Sequence, residues 1–356
     1  MGHLGMGEQL RGHIPRPSRD DERIIQDKTF ETRIGYIAPC QSARVDSAAF
    51  LPPCDRVVLE TNDARVAALA ARLWPRGAAD TTEPAGAAIR IHVEVRDGGA
   101  PGRQIGDLPE RHLSWEHTPA EFRCGIPGLF SAHIVLADAT IAATAAPELL
   151  DGAPGPAARW LLEAPVAVLL ARRGWRALHA GAVSGSKGAV VVRGRSGAGK
   201  STLVAAAHAA GLEVLGDESL LVARGDPDAL AASVRELTLR ADSAALLGIL
   251  ASTAPAFSGG EEKRRVELFE GSSSGTREAR RVTTLLLGPR APGPARLVPL
   301  EPAQFLLEFA KGEIPQEHVG GGAGSVARAW AEAGGARLDG ASDLAGAVSL
   351  LKVLVS

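Results

Sequence analysis

In the first half of the chain, short runs of alternating apolar and polar residues predict strands. Asp63 to Trp74 instead has apolar residues at the spacing of an amphipathic helix. The pattern predicts a small, β-rich α+β domain over residues 51–152, preceded by a mobile arm over residues 1–50 that has no apolar period. The predicted strands are Arg56 to Glu60, Ala88 to Val95, and segments around Phe122 to Cys124 and His133 to Leu136.

The second half of the chain has longer apolar runs, which are typical of buried strands and helices. Asp151 to Pro156 is dense in glycine and proline and is predicted to end the first domain, so that residues 153–356 form a second one. Strands and helices alternate in this second domain, which predicts an α/β fold. The predicted elements are a helix at Ala157 to Arg173, strands at Ala177 to Ser184, Ala189 to Arg193 and Glu213 to Leu215, a turn at Gly185 to Gly188, a helix at Lys200 to Ala210, strands at Val282 to Leu287 and Arg296 to Leu300, and a helix at Pro302 to Ala310.

Composition narrows the classes of protein to which the chain can belong. Its 356 residues are 45% hydrophobic, which is enough to bury a full core, and its formal net charge is −2. Such a balance gives no field that would attract nucleic acid or an anionic membrane, and no uncharged run is long enough to span a bilayer. Cys40, Cys54 and Cys124 have no C-x-x-C spacing, which argues against a zinc cluster or a disulfide framework. The expected location is the cytoplasm.

A glycine-rich segment directly after Ala189 to Arg193 gives the main chemical signal. It matches G-x-x-x-x-G-K-[ST], a pattern in which backbone N–H groups surround phosphate oxygens and the following helix points its positive end at the same anion. Lys200 is expected to span the β- and γ-phosphates of ATP, and the Ser201 hydroxyl is expected to bind Mg²⁺. The predicted cofactor-binding residues are Gly194, Arg195, Ser196, Gly197, Ala198, Gly199, Lys200, Ser201 and Thr202.

An acidic pair, Asp217 and Glu218, closes the next predicted strand. Because the carboxyl ends of strands in an open α/β sheet share one ligand crevice, we expect this pair near the glycine-rich loop. Acids there can hold magnesium or accept a proton from a nucleophile, although a solvated acidic turn has the same sequence. His179 is alone on an apolar strand, where a packed core histidine is the more common case.

Leu178-His179, the glycine-rich loop and Leu215-Gly216-Asp217-Glu218 together resemble the catalytic core of the HPr serine kinase/phosphorylase family, whose fold is related to that of phosphoenolpyruvate carboxykinase. His179 lies 21 positions before Lys200, and Asp217 lies 16 after Ser201, which is similar to the family spacing. The resemblance covers residues 165–230 well and the chain to about residue 310 loosely. It implies a P-loop kinase fold with ATP and Mg²⁺, in which Asp217 is the general base, His179 supports it, Lys200 is a catalytic cation and Glu218 takes the place of a second aspartate as a metal ligand.

Three functions are consistent with these residues. The first is a kinase that transfers the γ-phosphoryl group of ATP to a serine-type hydroxyl of a protein, peptide or small molecule. The second is an ATPase that drives a partner, and the third is a nucleotide sensor without phosphotransfer. Phe257 to Glu261 resembles the signature loop of ABC-type ATPases, but here the acid pair precedes that loop, so a kinase is the preferred interpretation. The sequence predicts no nucleic-acid or membrane partner and allows a homo-oligomer.

Overall fold

The computed structural model has a mixed α/β fold, in which the described strands form two mixed sheets and two antiparallel ones. It describes residues 45–50, 56–74, 88–96, 113–152, 154–232, 236–247, 252–258, 261–267, 277–278, 281–289, 291–312, 317 and 323–356. Within these ranges, no helix combines the length and the apolarity that crossing a bilayer requires.

A mixed sheet dominates the N-terminal region. Its strands are β1 (Val45–Phe50), β2 (Val57–Thr61), β3 (Ile89–Val95), β4 (Ser114–His117), β5 (Glu121–Ile126), β6 (Phe130–Val135) and β7 (Thr140–Ala145). They are arranged in the order β1-β2-β3-β7-β6-β5-β4. The neighbours β2, β3 and β7 run parallel, and the other neighbours run antiparallel. Helix α1 (Ala64–Leu73) follows β2, and the side chain of Asp63 caps its first turn by accepting from the Arg65 N–H.

The elements predicted in this region are confirmed, and the structure adds three strands to them. β4 and β7 complete the sheet beside the predicted strands. β1 lies inside the predicted arm of residues 1–50, so that part of the arm is paired with β2. The remainder of the predicted arm, residues 1–44, lies outside the described residues.

A helical run joins the N-terminal sheet to the rest of the chain. It consists of α2 (Pro147–Gly152), α3 (Pro154–Ala158), a π-helical turn (Arg159–Glu163) and α4 (Ala164–Arg172). Its apolar side chains share one core with the strands, and Trp160 stacks on Phe130 with 5.3 Å between ring centroids. The predicted helix at Ala157 to Arg173 is confirmed, with its first turns widened to a π-helix. Asp151 to Pro156 is largely helical, and the division between residues 152 and 153 stays a prediction.

The strands that follow the helical run form three further sheets. Their bounds are β8 (Trp175–Leu178), β9 (Ala180–Ser184), β10 (Ala189–Arg193), β11 (Glu213–Gly216), β12 (Leu220–Ala223), β13 (Ala229–Ala232), β14 (Glu236–Arg240), β15 (Ser252–Ser258), β16 (Glu261–Glu267), β17 (Arg277–Glu278), β18 (Val282–Leu287), β19 (Arg296–Pro299) and β20 (Ala336–Asp339). The largest of these sheets has the order β11-β9-β10-β18-β20-β19. The two smaller ones have the orders β17-β13-β12-β8 and β14-β16-β15.

The strand directions in the six-stranded sheet bring several chain segments to one edge. β10 is parallel to β18, and β18 is parallel to β20. β9 is antiparallel to both β10 and β11, so β11 runs in the same direction as β10. The carboxyl ends of β10 and β11 therefore lie at the same edge, with the amino end of β9 between them. Arg193 pairs with Ala180 at this edge, and Gly216 pairs with Ala182 on the other side of β9.

Helices cover both faces of the six-stranded sheet. They are α5 (Lys200–Ala209), α6 (Ala241–Leu246), α7 (Pro302–Ala310), α8 (Gly324–Glu332) and α9 (Leu344–Val355). Val190 and Val192 of β10 belong to the core that includes α5 and α9, whereas Val191 belongs to the core that includes α7 and α8. The continuous apolar sequence of β10 is explained by this burial on both faces.

One predicted strand is wrong as a single element. Ala177 to Ser184 is divided at His179 into β8 and β9, which belong to different sheets. The apolar run gave no sign of the break because both pieces are buried strands. His179 consequently lies between two strands, at the edge where β10 and β11 end.

Candidate nucleotide-binding site

The glycine-rich loop connects the buried strand β10 directly to helix α5. Gly197 and Gly199 have φ angles of +77° and +103°, which L side chains rarely adopt. The Ala198 N–H donates to the Arg195 carbonyl at 3.1 Å, which closes a turn inside the loop. Helix α5 begins at Lys200, with Gly199 as its N-cap. The predicted strand, loop and helix are thus confirmed, and the loop lies at the amino end of a ten-residue helix.

Lys200 crosses the inner side of the loop. Its side chain is buried, and Nζ donates to the carbonyl oxygens of Gly194 at 2.9 Å and Arg195 at 3.3 Å. These bonds place the ammonium charge within the loop itself. A phosphate anion bound by the loop would meet this charge without a large movement of the side chain.

Asp217 lies at the end of β11, on the same sheet edge as the loop. Its side chain is completely buried, and neither carboxylate oxygen has a hydrogen-bond partner among the described residues. The Ser201 hydroxyl approaches the carboxylate closely enough to lower its pKa, but the geometry falls short of a hydrogen bond. Burial, with a smaller contribution from Glu218, outweighs this effect and raises the pKa of Asp217 to about 7.

The close approach of Asp217 to β9 depends on Gly181. A Cβ at Gly181 would lie 2.6 Å from Cγ2 of Val204 and 3.1 Å from Oδ1 of Asp217. Glycine therefore allows the carboxylate and helix α5 to pack against the same point of the strand. The sequence did not single out Gly181, because only the tertiary structure brings these groups together.

Ser201 and Asp217 could together offer two oxygen ligands to Mg²⁺. Magnesium in nucleotide sites commonly takes one or two protein oxygens and completes its shell with phosphate and water oxygens. The orphaned, buried carboxylate of Asp217 beside a hydroxyl fits that description. No group of three or more His, Cys, Asp or Glu side chains in the described ranges could hold a metal by itself. The hydroxyl of Thr202, which the sequence predicted to be a cofactor-binding residue, donates to Oγ of Ser243 at 2.9 Å.

Glu218 has an unusual backbone conformation and a defined side-chain partner. Its φ angle is +63°, and the Ser219 N–H donates to the Asp217 carbonyl at 2.7 Å, so these three residues form a γ-turn. The carboxylate of Glu218 forms an ion pair with Arg159 at 2.6 Å. Strained turns of this kind often occur at functional sites. The predicted role of Glu218 as a metal ligand would require this carboxylate to share its interaction with Arg159.

His179 contacts the same turn from the break between β8 and β9. Its Nδ1 lies 3.1 Å from the Glu218 carbonyl oxygen, and its backbone N–H donates to Oε1 of Glu317 at 2.5 Å. Burial, assisted by the positive charge of Lys200, lowers the pKa of His179 to about 4. The imidazole is therefore neutral at physiological pH. The resemblance implied that His179 supports Asp217, but the ring contacts the backbone carbonyl of Glu218, and neither carboxylate oxygen of Asp217 has a hydrogen-bond partner among the described residues.

No known family model matches this chain, and no curated protein matches it either. The interpretation of the site therefore depends on its geometry.

The sequence did not identify several charged residues at this edge. Arg159 and Glu163 come from the π-helical turn, and together with Glu218, Ser219 and Glu317 they line a cleft next to His179. In the sequence, Arg193 is a charged residue at the end of an otherwise apolar strand. That pattern could have indicated a buried ion pair. Its partner, Glu317, could not have been found because it lies 124 positions away.

Proposed function

We propose that this protein is an ATP-dependent kinase that transfers a γ-phosphoryl group to a hydroxyl acceptor. The observation that supports the proposal is that Lys200 and Ser201, which follow the glycine-rich loop, lie at the same sheet edge as the buried carboxylate of Asp217. Phosphoryl transfer is catalysed mainly by positioning and by neutralising negative charge, and these three side chains can supply both.

The proposal gives Lys200 and Ser201 one task each and Asp217 two alternative tasks. Backbone N–H groups of residues 194–199 and the start of α5 would bind the phosphates, and Lys200 would neutralise charge on the β- and γ-phosphates. The Ser201 hydroxyl and the Asp217 carboxylate would hold magnesium, which supplies further charge neutralisation when bound. Alternatively, if the Asp217 carboxylate does not bind the metal, its raised pKa suits a proton acceptor near neutral pH, which is the role expected from the family resemblance.

The acceptor would enter on the side of the sheet edge where Glu218 and His179 lie. The cleft there is lined by the charged residues Arg159, Glu163, Glu218 and Glu317, by Ser219, and by apolar residues that include Ala164, Ala177 and Leu178. Its cavity volume of about 30 Å³ has room for a water molecule or two, so an acceptor would have to widen it. Because Nδ1 donates to the Glu218 carbonyl, the neutral His179 ring can accept one further hydrogen bond at Nε2.

A nucleotide hydrolase or sensor is the second candidate, and the burial of Asp217 is the observation that favours it. With no exposed surface, the carboxylate cannot touch an acceptor hydroxyl until the site rearranges. Under this alternative, Asp217 would serve only to hold magnesium or metal-bound water.

A transfer assay distinguishes these functions. The protein is incubated with ATP labelled on the γ-phosphate, Mg²⁺ and a set of hydroxyl compounds and serine peptides, and the products are identified by mass spectrometry. A kinase gives a phosphorylated acceptor whose formation is abolished by Lys200→Ala. Release of free phosphate in all mixtures, with no acceptor modified, would support the hydrolase, and unchanged ATP would support the sensor.

The Asp217→Asn variant then separates two roles of that residue. Loss of a general base should reduce turnover by about a hundredfold or more while MgATP affinity is kept, whereas loss of a metal ligand should weaken MgATP binding as well. If the variant retains near-normal transfer, neither role is correct.

A further inference from the structure

Arg193 and Glu317 form a buried ion pair where the glycine-rich loop begins. Nη1 of Arg193 donates to Oε1 of Glu317 at 2.9 Å, and Nη2 donates to Oε2 at 2.7 Å. The two side chains are 0% and 1% exposed, respectively. Since Arg193 is the last residue of β10, this bidentate contact fixes the strand end from which the loop leaves the sheet.

The same carboxylate also holds the neighbouring strand. Oε1 of Glu317 accepts the backbone N–H of His179 at 2.5 Å. His179 directly precedes β9, whose first residue, Ala180, pairs with Arg193. The Glu317 side chain thus connects the end of β10 and the start of β9, the two segments that lie beside the first residue of the glycine-rich loop.

The C-terminal end of helix α7 supports this arrangement. Nε of Arg193 donates to the Phe309 carbonyl at 3.1 Å, and Cζ of Arg193 lies 3.9 Å from the centroid of the Phe309 ring. Gly312 lies against Gly194 so closely that a Cβ at Gly312 would be 3.2 Å from the Gly194 carbonyl carbon and oxygen. The first glycine of the loop is consequently enclosed by residues that lie more than a hundred positions away.

We infer that Glu317 is a positioning residue that sets the conformation of the glycine-rich loop through Arg193 and His179. Its expected effect on ATP binding rests on the proposed function, whereas its effect on the loop does not. A buried ion pair is weak evidence for stability, because well-packed apolar residues of similar size are often equally stabilising. The role inferred for Glu317 is therefore positional. Its carboxylate accepts three directed hydrogen bonds, which define the positions of the Arg193 guanidinium and the His179 backbone N–H.

The test compares three variants of the full chain with the wild type. Glu317→Gln removes the charge and leaves the Arg193 cation unpaired. The paired variant Arg193→Met with Glu317→Leu replaces the ion pair by apolar side chains of similar size. Glu308→Gln is the matched control, because Glu308 belongs to α7 and forms a partly exposed ion pair with Lys311. The measurements are the melting temperature, the MgATP affinity by calorimetry and the hydrogen exchange of residues 189–199 without nucleotide.

Glu317→Gln should accelerate exchange in residues 189–199 by about tenfold more than exchange in β18, and it should weaken MgATP binding. The paired variant should recover the melting temperature without recovering slow exchange or MgATP affinity. Glu308→Gln should match the wild type in all three measurements.

A purely structural role predicts a different outcome and would overturn the inference. In that case the paired variant would recover all three properties, or Glu317→Gln would accelerate exchange equally in β18 and in residues 189–199. If neither variant folds, Glu317→Asp decides the question, because it keeps the charge and shortens the side chain. A folded Glu317→Asp variant with wild-type exchange in residues 189–199 contradicts the inference.

The exchange measurement keeps this inference separate from the proposed function. If the wild type binds no MgATP, the nucleotide proposal fails. Selective acceleration of exchange in residues 189–199 would still support the role of Glu317.

Discussion

Replacement of Asp217 by asparagine should make the stability of the free protein less sensitive to a rise in pH from about 5 to about 8. The Asp217 side chain is fully buried without a hydrogen-bond partner in the described part of the chain, so its ionised form is poorly stabilised. Folding raises the pKa of this carboxyl from 3.8 to about 7, chiefly through burial. A group whose pKa rises on folding contributes most to stability below its unfolded pKa, and that contribution is lost as pH increases through the folded pKa.

The size of the effect follows from these two pKa values. Between about pH 5 and pH 8 the wild type should lose about 2 to 3 kcal/mol of unfolding free energy that the Asp217→Asn variant does not lose. The asparagine amide is also buried, and any cost of burying it is nearly independent of pH. The difference between the two pH values therefore isolates the charge of Asp217 from other consequences of the substitution.

The assay is urea unfolding of the nucleotide-free protein at both pH values, with circular dichroism to follow the folded fraction. The variant should gain stability relative to the wild type on going from the lower to the higher pH. A stability difference that stays constant with pH would refute the reasoning, because it would mean that the carboxylate is already compensated in the free protein.

Three further predictions follow from the same structure. Gly199→Ala should lower the unfolding free energy by about 1 to 2 kcal/mol and weaken nucleotide binding, because the position has a φ of +103°. Gly225→Ala, at a site with open space and no such φ, should change neither, and equal urea midpoints for the two variants would contradict this. The His179 ring should stay neutral down to about pH 5, and an NMR titration with a midpoint near its ordinary value of 6.5 would show that the ring is not desolvated. Removal of residues 1–42, which retains β1, should leave the melting temperature unchanged because the segment has no apolar period; a large decrease would show that it packs on the body.

The sequence predicted those parts of the site that are local in the chain. The glycine-rich loop, Lys200 and Ser201 lie between β10 and α5, and their pattern alone was sufficient to place them. Asp217 was also expected at this edge, because it ends the strand that follows α5. These predictions succeeded since each depends on a short segment whose periodicity and turn residues are visible.

Other features depend on contacts that a single sequence does not reveal. The insertion of β9 between β10 and β11 and the break at His179 follow from which strands pair. Arg159 reaches Glu218 from a π-helical turn 59 positions earlier, and Glu317 reaches Arg193 from 124 positions later. The periodicity around these residues does not indicate which residue each of them contacts. The polar contacts of the site could therefore be identified only from the tertiary structure.

Calorimetric titration of the full-length protein with MgATP tests the central claim most directly, with Lys200→Ala as the comparison and circular dichroism to establish that the variant is folded. The account predicts saturable binding that requires Mg²⁺ and that weakens at least about tenfold in the variant, because the phosphates lose their main protein counter-ion. Absence of binding to the wild type, or equal affinities for the wild type and a folded variant, would contradict it.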